Sequence, residues 1–257
     1  MRPPAATGTP YLILSRDDYV VLGPEDFGAP GLYATEIIGP YVRIQASGPL
    51  LTVHDSTIEP HKGIGHHPHR YNERLFYIMT GELDHDDRLN GITGHMATGD
   101  VGMFTEGRRG MVHSEWNNGD EPAHAFILVY ATDPIPEQTA FGVLSGADAP
   151  EYDEAAGVRT KELVGGQSPL RVNGDIRLFT DSLVAPGAAL DFRTDSGEGG
   201  LVSVQQGEAR INGDVLATGD TLVCPPSAEP RKLRLEAAGE ARLLRVVHGP
   251  GFGFRLS

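Results

Sequence analysis

Short runs of apolar residues alternate with turn-forming residues along most of the chain. The 33 glycines and 19 prolines punctuate these runs, and alternating runs of about four to eight residues bounded by such residues are typical of β-strands. The pattern predicts an all-β protein with two series of strands. The first series is 11–14, 41–45, 50–58, 75–80, 101–104, 111–116 and 125–130; the second is 170–180, 201–205, 209–211, 220–224, 232–235 and 241–247.

The stretch between the two series predicts a domain boundary. Residues 133–166 contain three prolines and a charged run at 151–162, which we interpret as one short helix within a linker. A chain of 257 residues suits two cores of about 100 to 130 residues each. We therefore expect an N-terminal domain at 1–135, a linker at 136–166 and a C-terminal domain at 167–257.

A short internal repeat supports the division into two similar domains. The letters GE at 81–82 and ATGD at 97–100 recur in the same order as GE at 207–208 and ATGD at 217–220. Gly-Asp is a common turn dipeptide, so chance is the alternative explanation. We interpret the repeat as a duplicated strand-turn-strand unit with a shorter hairpin in the second copy.

Charge and composition restrict the partners and the compartment. The 21 basic and 35 acidic residues give a net charge of −14, which disfavours direct binding to nucleic acid. No apolar stretch approaches the roughly 20 residues that a membrane helix needs. The single cysteine, Cys224, cannot form a disulfide within the chain, and the sequence MRPPAATGTP does not resemble a secretion signal. These features predict a cytoplasmic protein.

The histidines indicate a metal site in the first half of the chain. Nine of the ten lie between His54 and His124. His67-Pro68-His69 places two imidazoles on one face of an extended segment, and His113-Ser114-Glu115 does the same for an imidazole and a carboxylate. Two such strands side by side would bring three nitrogens and one oxygen together. Because proline donates no ladder hydrogen bond, we expect the first pair where a loop enters a strand.

These motifs resemble those of the pirin family within the cupin superfamily. The matching letters are HPHRYNE at 67–73, TGD at 98–100 and GMVHSE at 110–115, and the resemblance is strong over about residues 52–130. It implies a bicupin of two β-barrels of the double-stranded β-helix or jelly-roll type. It also implies that the metal ligands are His67, His69, His113 and Glu115, with Glu73 as an inner-wall group. The chain departs from the family at 71–72 and in a longer loop at 107–110, both near the expected pocket mouth.

The second copy of the repeat lacks this ligand set. Aligning the copies places Arg193, Asp195 and Leu233 at the positions of His67, His69 and His113. We therefore expect a degenerate C-terminal cupin domain without metal ligands.

Three imidazoles and a carboxylate without a thiolate argue against a structural zinc site. They suit Fe(II) first, with Mn, Ni, Co, Cu or Zn as alternatives. The resemblance implies quercetin 2,3-dioxygenase activity, in which O2 cleaves the ring of a phenolic, flavonoid-like substrate and Glu115 accepts the proton of the flavonol 3-hydroxyl. It equally admits a non-enzymatic iron-binding regulator that acts through a protein partner such as a transcription factor. An apolar pocket beside the metal would favour the enzyme.

Several other residues receive weaker interpretations. Residues 84–87 could coordinate a cation, but we prefer to interpret them as a charged hairpin tip in water. Arg108 and Arg109 either steer an anionic substrate or are solvated. His61 and His66 line the approach to the metal or lie in solvent. Trp116 should face away from the ligands, and Cys224 should be a small buried apolar residue.

Overall fold

The computed structural model of the protein describes residues 9–257, and nearly all of its regular structure is β-strand. The helical segments of these residues are a 3-10 turn at Arg16–Asp18 and one short helix, α1, at Pro24–Phe27. The first-half strands are β1 Leu12–Leu14, β2 Val20–Leu22, β3 Leu32–Ile38, β4 Ile44–Ser47, β5 Leu50–Ile58, β6 Lys62–His69, β7 Asn72–Thr80, β8 Glu82–Asp87, β9 Ile92–Ala97, β10 Val101–Thr105, β11 Met111–Asn117, β12 Ala123–Ala131 and β13 Ala140–Leu144. The second-half strands are β14 Glu151–Ala155, β15 Val158–Val164, β16 Ile176–Val184, β17 Ala189–Thr194, β18 Gly199–Gln206, β19 Glu208–Ile211, β20 Asp214–Ala217, β21 Thr221–Cys224, β22 Arg231–Ala237, β23 Ala241–His248 and β24 Phe254–Leu256. The all-β prediction is confirmed.

Each half of the chain forms a barrel from one large and one small sheet. In the first half, a large sheet with the order β13-β10-β7-β12-β5-β3-β2 faces the small sheet β6-β11-β8-β9. In the second half, the sheet β1-β21-β18-β23-β16-β15-β14 faces the small sheet β17-β22-β19-β20. Each barrel has its own apolar core, with Phe76 and Phe104 in the first and Phe192 and Leu235 in the second.

A third core lies between the two large sheets and joins the barrels. Alternation along β7 explains how one strand serves two cores. Leu75 and Tyr77 point to the shared core, where they join Phe179 of β16, whereas Phe76 and Ile78 point into the first barrel. The chain ends strengthen this junction, since β1 pairs with β21 of the second barrel and β24 pairs with β4 of the first.

The helix expected within 151–162 is wrong, because this stretch forms strands β14 and β15. The buried Val158 and Thr160 alternate with the exposed Arg159 and the half-buried Lys161, which is the period of a strand and not of a helix. The segment 136–166 also contains β13, which pairs with β10 of the first barrel. The division at 1–135, 136–166 and 167–257 stays a prediction, and residues 1–8 lie outside the described part.

The internal repeat corresponds to two hairpins with the same hydrogen bonds. In the hairpin of β8 and β9, the Ala97 amide donates to Asp100 Oδ2 over 2.9 Å and the Thr98 hydroxyl donates to the Gly81 carbonyl over 3.1 Å. In the hairpin of β19 and β20, Ala217 and Asp220, and Thr218 and Gly207, repeat these bonds at 2.9 and 3.1 Å. The second hairpin is shorter, as the sequence predicts.

Within residues 9–257, no helix has the length and apolar character needed to span a membrane.

Candidate metal centre

The small sheet of the first barrel brings the two histidine motifs together. His67 and His69 lie at the end of β6, and His113 and Glu115 lie in the neighbouring strand β11, with His113 directly opposite His67. We expected His67 and His69 to lie where a loop enters a strand. This expectation is wrong in detail, because Pro68 lies within β6. A proline is tolerated there because β6 is an edge strand.

The three imidazoles are close enough to share one ion. A ring nitrogen from each of His67, His69 and His113 lies within 4.8 Å of the other two. Glu115 completes the group, with Oε2 4.0 Å from His67 Nε2 and Oε1 2.7 Å from His113 Nδ1. The structure thus brings together the four residues that the sequence singles out.

Buried atoms without hydrogen bonds show that these residues fit a metal ion. His113 and Glu115 are buried, yet both ring nitrogens of His113 and Oε1 of Glu115 lack a hydrogen-bond partner. The 2.7 Å contact between these two residues therefore does not have hydrogen-bond geometry. Buried polar atoms are rarely left unpaired in proteins. A cation bound by three imidazoles and a carboxylate would satisfy them.

The charge states of His67, His69 and Glu115 suit ligation. Burial lowers the pKa of His67, and burial followed by the charge of Arg74 lowers the pKa of His69 to about 2, so both rings are neutral near pH 7. Burial raises the pKa of Glu115, but the polar and electrostatic contacts of the surrounding imidazoles outweigh it, and the pKa lies well below its ordinary value. Neutral imidazoles and an ionised carboxylate are the forms that bind metal.

The tautomer of His67 is fixed by a backbone carbonyl. His67 Nδ1 lies 2.8 Å from the Gly65 carbonyl oxygen, an acceptor only, so Nδ1 carries the proton and donates it. The lone pair is then on Nε2, the nitrogen that faces Glu115.

His85 is a further member of this group that the sequence interpretation missed. The expectation of a charged hairpin tip at 84–87 is wrong, because these residues belong to β8, and His85 and Asp87 are buried. His85 lies opposite Glu115 in register, with Nδ1 3.9 Å from Glu115 Oε1. With His113 and Glu115 it forms a second, overlapping cluster of possible ligands. The alternation of Leu83, His85 and Asp87 toward the inside was the available signal.

A cavity of about 360 Å³ opens beside the cluster. Its walls are mainly apolar, and His67, His69, His113 and Glu115 form one end. The volume lies within the range of about 300–1,000 Å³ that is common for small-molecule sites. The apolar residues of its wall include Phe27, Leu32, Ile58, Ile64, Phe76 and Ile127.

Two polar pairs at the cavity wall also escaped the sequence interpretation. His54 Nε2 lies 3.1 Å from Oε2 of the buried Glu36, and this contact joins β5 to β3. Arg74 donates from Nε to Glu106 Oε1 over 2.6 Å and from Nη2 to His69 Nδ1 over 2.7 Å. His54 and Arg74 therefore place a histidine and a guanidinium in a mainly apolar wall.

Residues 33–128 match the family model described as Pirin. The chain contains a Pirin domain. All four predicted ligands lie within the matched residues, and the family predicted from the motifs is confirmed.

Two relatives of this chain have different names, a pirin-like protein and a dioxygenase. Pirin-like protein 2 of Arabidopsis thaliana is 30% identical over 171 residues, which are 60% of this chain and 52% of that protein. Quercetin 2,3-dioxygenase of Escherichia coli K12 is 27% identical over 140 residues, which are 52% of this chain and 56% of that protein. The chain thus spans about half the length of each relative.

A solved structure has the same fold as this two-barrel chain. The bacterial pirin YhhW from Escherichia coli, crystallised in complex with nickel(II), superposes with a TM-score of 0.71 at 17% identity. The superposition covers 90% of this chain and 99% of that one. The predicted bicupin architecture is confirmed.

Glu73 of the Pirin domain does not face the cavity, so its assignment to the inner wall is wrong. It lies on the opposite face of β7 from Arg74 and is fully buried between the barrels. Its carboxylate accepts hydrogen bonds from the Thr105 and Tyr130 hydroxyls and from Asn173 of the second half. Glu73 therefore joins the barrels.

The remaining candidates lie away from the cavity. Arg108 is exposed and paired with Glu137, and Arg109 is exposed, so neither lines the cavity. His61 Nε2 lies 3.1 Å from Asp120 Oδ1 and His66 Nε2 lies 2.9 Å from Asp86 Oδ2, and neither histidine lines the cavity. Trp116 is exposed, as expected from its position beside Glu115, and Cys224 is buried in the second barrel.

A larger groove, of about 730 Å³, lies on the second half between Asp153 and Glu240. It is open to solvent, and the described residues place no cluster of possible metal ligands there.

Proposed function

We propose that His67, His69, His113 and Glu115 hold one divalent transition-metal ion. The observation that carries this proposal is the convergence of three imidazoles and one carboxylate, in which buried atoms of His113 and Glu115 have no hydrogen-bond partner. Fe(II) is the metal we expect first, since this donor set contains no thiolate. Mn, Ni, Co, Cu and Zn remain alternatives, and the nickel(II) complex of the Escherichia coli pirin supports the capacity of the fold for such ions.

The activity that we propose is the O2-dependent ring cleavage of a phenolic, flavonoid-like substrate, as in a quercetin 2,3-dioxygenase. The similarity to the quercetin 2,3-dioxygenase of Escherichia coli and the apolar cavity beside the ligands support this assignment over a regulatory protein without turnover. The bound metal ion would supply a Lewis-acidic position for a substrate oxygen and for O2.

The residues of the chain then have separate tasks. The Gly65 carbonyl holds the His67 ring in its ligand-competent tautomer. Phe27, Phe76 and Ile127 hold the aromatic rings of the substrate and exclude water. Glu115, which is ionised, accepts the proton of the substrate hydroxyl, and Glu115→Gln should therefore lower turnover at saturating substrate.

Elemental analysis of the wild-type protein and of His113→Ala tests the metal centre. We expect about one metal ion per wild-type chain and a loss of that ion in the variant. His95→Ala is the matched control, because His95 is exposed and pairs with Asp84 outside the cluster. A protein that binds no metal would contradict the proposed site.

Oxygen uptake with quercetin, after anaerobic loading with Fe(II), tests the activity. Consumption of O2 that depends on both quercetin and metal is the expected result. Metal binding without O2 uptake would contradict the dioxygenase assignment and favour the iron-binding regulator that acts through a protein partner.

A further inference from the structure

Arg74 is the one lysine or arginine among the described residues that line the cavity. It belongs to β7, where its side chain points into the first barrel next to Phe76. Its Nε donates to Glu106 Oε1 over 2.6 Å, and Glu106 is fully buried. Nη1 makes no hydrogen bond within residues 9–257, so one donor group of the guanidinium is unused beside the cavity.

The contact between Arg74 and His69 is incompatible with a metal ion on the same ring. Arg74 Nη2 lies 2.7 Å from His69 Nδ1. A guanidinium nitrogen only donates, so His69 Nδ1 is the acceptor and bears the ring's lone pair. A neutral imidazole has one such lone pair, and a metal ligand must use it. If His69 binds the metal ion through Nε2, then its Nδ1 carries the proton and repels the Arg74 Nη2 donor. If His69 binds the metal ion through Nδ1, the ion uses the Nδ1 lone pair that Arg74 needs as its acceptor. In either case Arg74 Nη2 must leave His69.

The released guanidinium remains at the cavity wall, because Glu106 holds it through Nε. Glu106 is itself anchored, since its Oε2 accepts the Asn72 backbone amide over 2.9 Å. The free donors of Arg74 and the positive charge of a divalent ion both favour an anionic oxygen on the substrate.

We propose that Arg74 competes with the metal ion for His69 and, once displaced, binds the anionic oxygen of the substrate, which makes the centre selective for anionic substrates. This inference rests on the proposed metal centre. It makes Arg74 a specificity-determining residue.

Two variants separate the loss of the Arg74 hydrogen-bond donors from the change in net charge that this loss causes. Arg74→Met removes every donor at similar length. Arg74→Met/Glu106→Gln also removes the carboxylate that would otherwise be buried without its cation, and the glutamine side chain keeps an acceptor for the Asn72 amide. Arg108→Met is the matched control, because Arg108 is exposed and paired with Glu137 away from the cavity.

The first measurement is Ni(II) affinity by calorimetry in the presence of a competing chelator. Both Arg74 variants should bind Ni(II) about tenfold more tightly than the wild type, because His69 is no longer engaged. Arg108→Met should bind Ni(II) as the wild type does. Wild-type affinity for Ni(II) in the double variant would overturn the competition.

The second measurement is the binding of benzoate and of its neutral isostere benzamide to the Ni(II)-loaded proteins. The wild type should prefer benzoate, and both Arg74 variants should lose benzoate affinity by about tenfold or more while they keep that for benzamide. An unchanged preference for benzoate would overturn the assignment of Arg74. If the wild type bound no Ni(II), the metal centre itself would be wrong, which is a different outcome from either failure of Arg74.

Discussion

His85 lies close to the proposed metal site and outside the proposed ligand set. Its ring stacks on Phe141 at 4.6 Å between ring centroids and meets Phe104 edge-on at 4.8 Å. Both ring nitrogens are buried without partners. It lies behind Glu115 and is not part of the cavity wall, whereas His67, His69 and His113 all line it. The open side of the centre is therefore the side of His67 and His69.

We expect His85→Phe to retain about one metal ion per chain. Phenylalanine preserves the stacking on Phe141 and removes two unpaired buried nitrogens, each of which costs about 1–3 kcal/mol when it lacks a partner. The metal-free variant should therefore be at least as stable as the metal-free wild type. Elemental analysis and thermal unfolding check both statements. Loss of the metal would instead make His85 a ligand.

At the scale of elements, the sequence predicted β11, which carries His113 and Glu115, but missed β6 and β8, which carry the other histidines of the candidate site. β5 was predicted with its observed bounds, and it carries buried apolar residues on both faces, with Val53 toward the shared core and Ile58 toward the first barrel. β6 and β8 were not predicted as strands, because their inward positions include His67, His69 and His85. Functional side chains replace the apolar residues on which the alternation signal depends. The ligand motifs were nevertheless recognisable, since spacing by two residues fixes a common face.

The misassigned segment 136–166 has a different cause. β15 alternates buried and charged residues at its start, as in Val158, Arg159 and Thr160, whereas β14 has no buried residue, and the charges of both made the stretch resemble an exposed helix. Which large sheet each strand would join depends on pairing between distant segments, such as β1 with β21. Local patterns contain no information about such pairing.

The repeated Gly-Asp turn makes a prediction at the same scale. Gly219 has φ +90° and no heavy atom within 4 Å of an added Cβ, so an alanine there meets only backbone strain. We expect Gly219→Ala to lower the free energy of unfolding by about 1 kcal/mol. Gly239→Ala is the control, because Gly239 also has open space but no positive φ. Urea denaturation measures both, and equal effects of the two substitutions would contradict the explanation by backbone conformation.

At the scale of the whole molecule, the two barrels are joined by polar contacts as well as by the shared apolar core. Glu73 accepts hydrogen bonds from Asn173, and Tyr77 donates to Asp181, which Arg242 also contacts. These contacts link residues that are 100 or more positions apart in the sequence, except for the pair of Asp181 and Arg242. Because β1 and β24 each pair with the other half, separating the barrels would expose both sheet edges and the apolar core between them.

His248 spans the same junction and gives it a dependence on pH. Its Nδ1 donates to the Gly249 carbonyl over 2.8 Å, so its Nε2 accepts from the Ser47 hydroxyl of the first barrel over 3.1 Å. The ring is therefore neutral in the folded protein. Burial lowers the pKa of His248, against smaller opposing contributions from the Gly249 hydrogen bond and from Asp175. In the unfolded chain the pKa is about 6.5, so below that pH the unfolded state binds the proton more tightly.

The stability due to a neutral His248 is therefore fully present above about pH 6.5 and is lost as the pH falls toward the lower folded pKa. We expect His248→Gln to be less stable than the wild type at pH 7 and to lose less stability between pH 7 and pH 5. The difference in slope should be at most about 1.4 kcal/mol per pH unit, the limit for one proton. His95→Gln is the control, because His95 is exposed and its replacement should leave the slope unchanged. Urea denaturation across this pH range measures the slopes, and parallel curves for the wild type and His248→Gln would mean that protonation of other groups causes the loss of stability in acid.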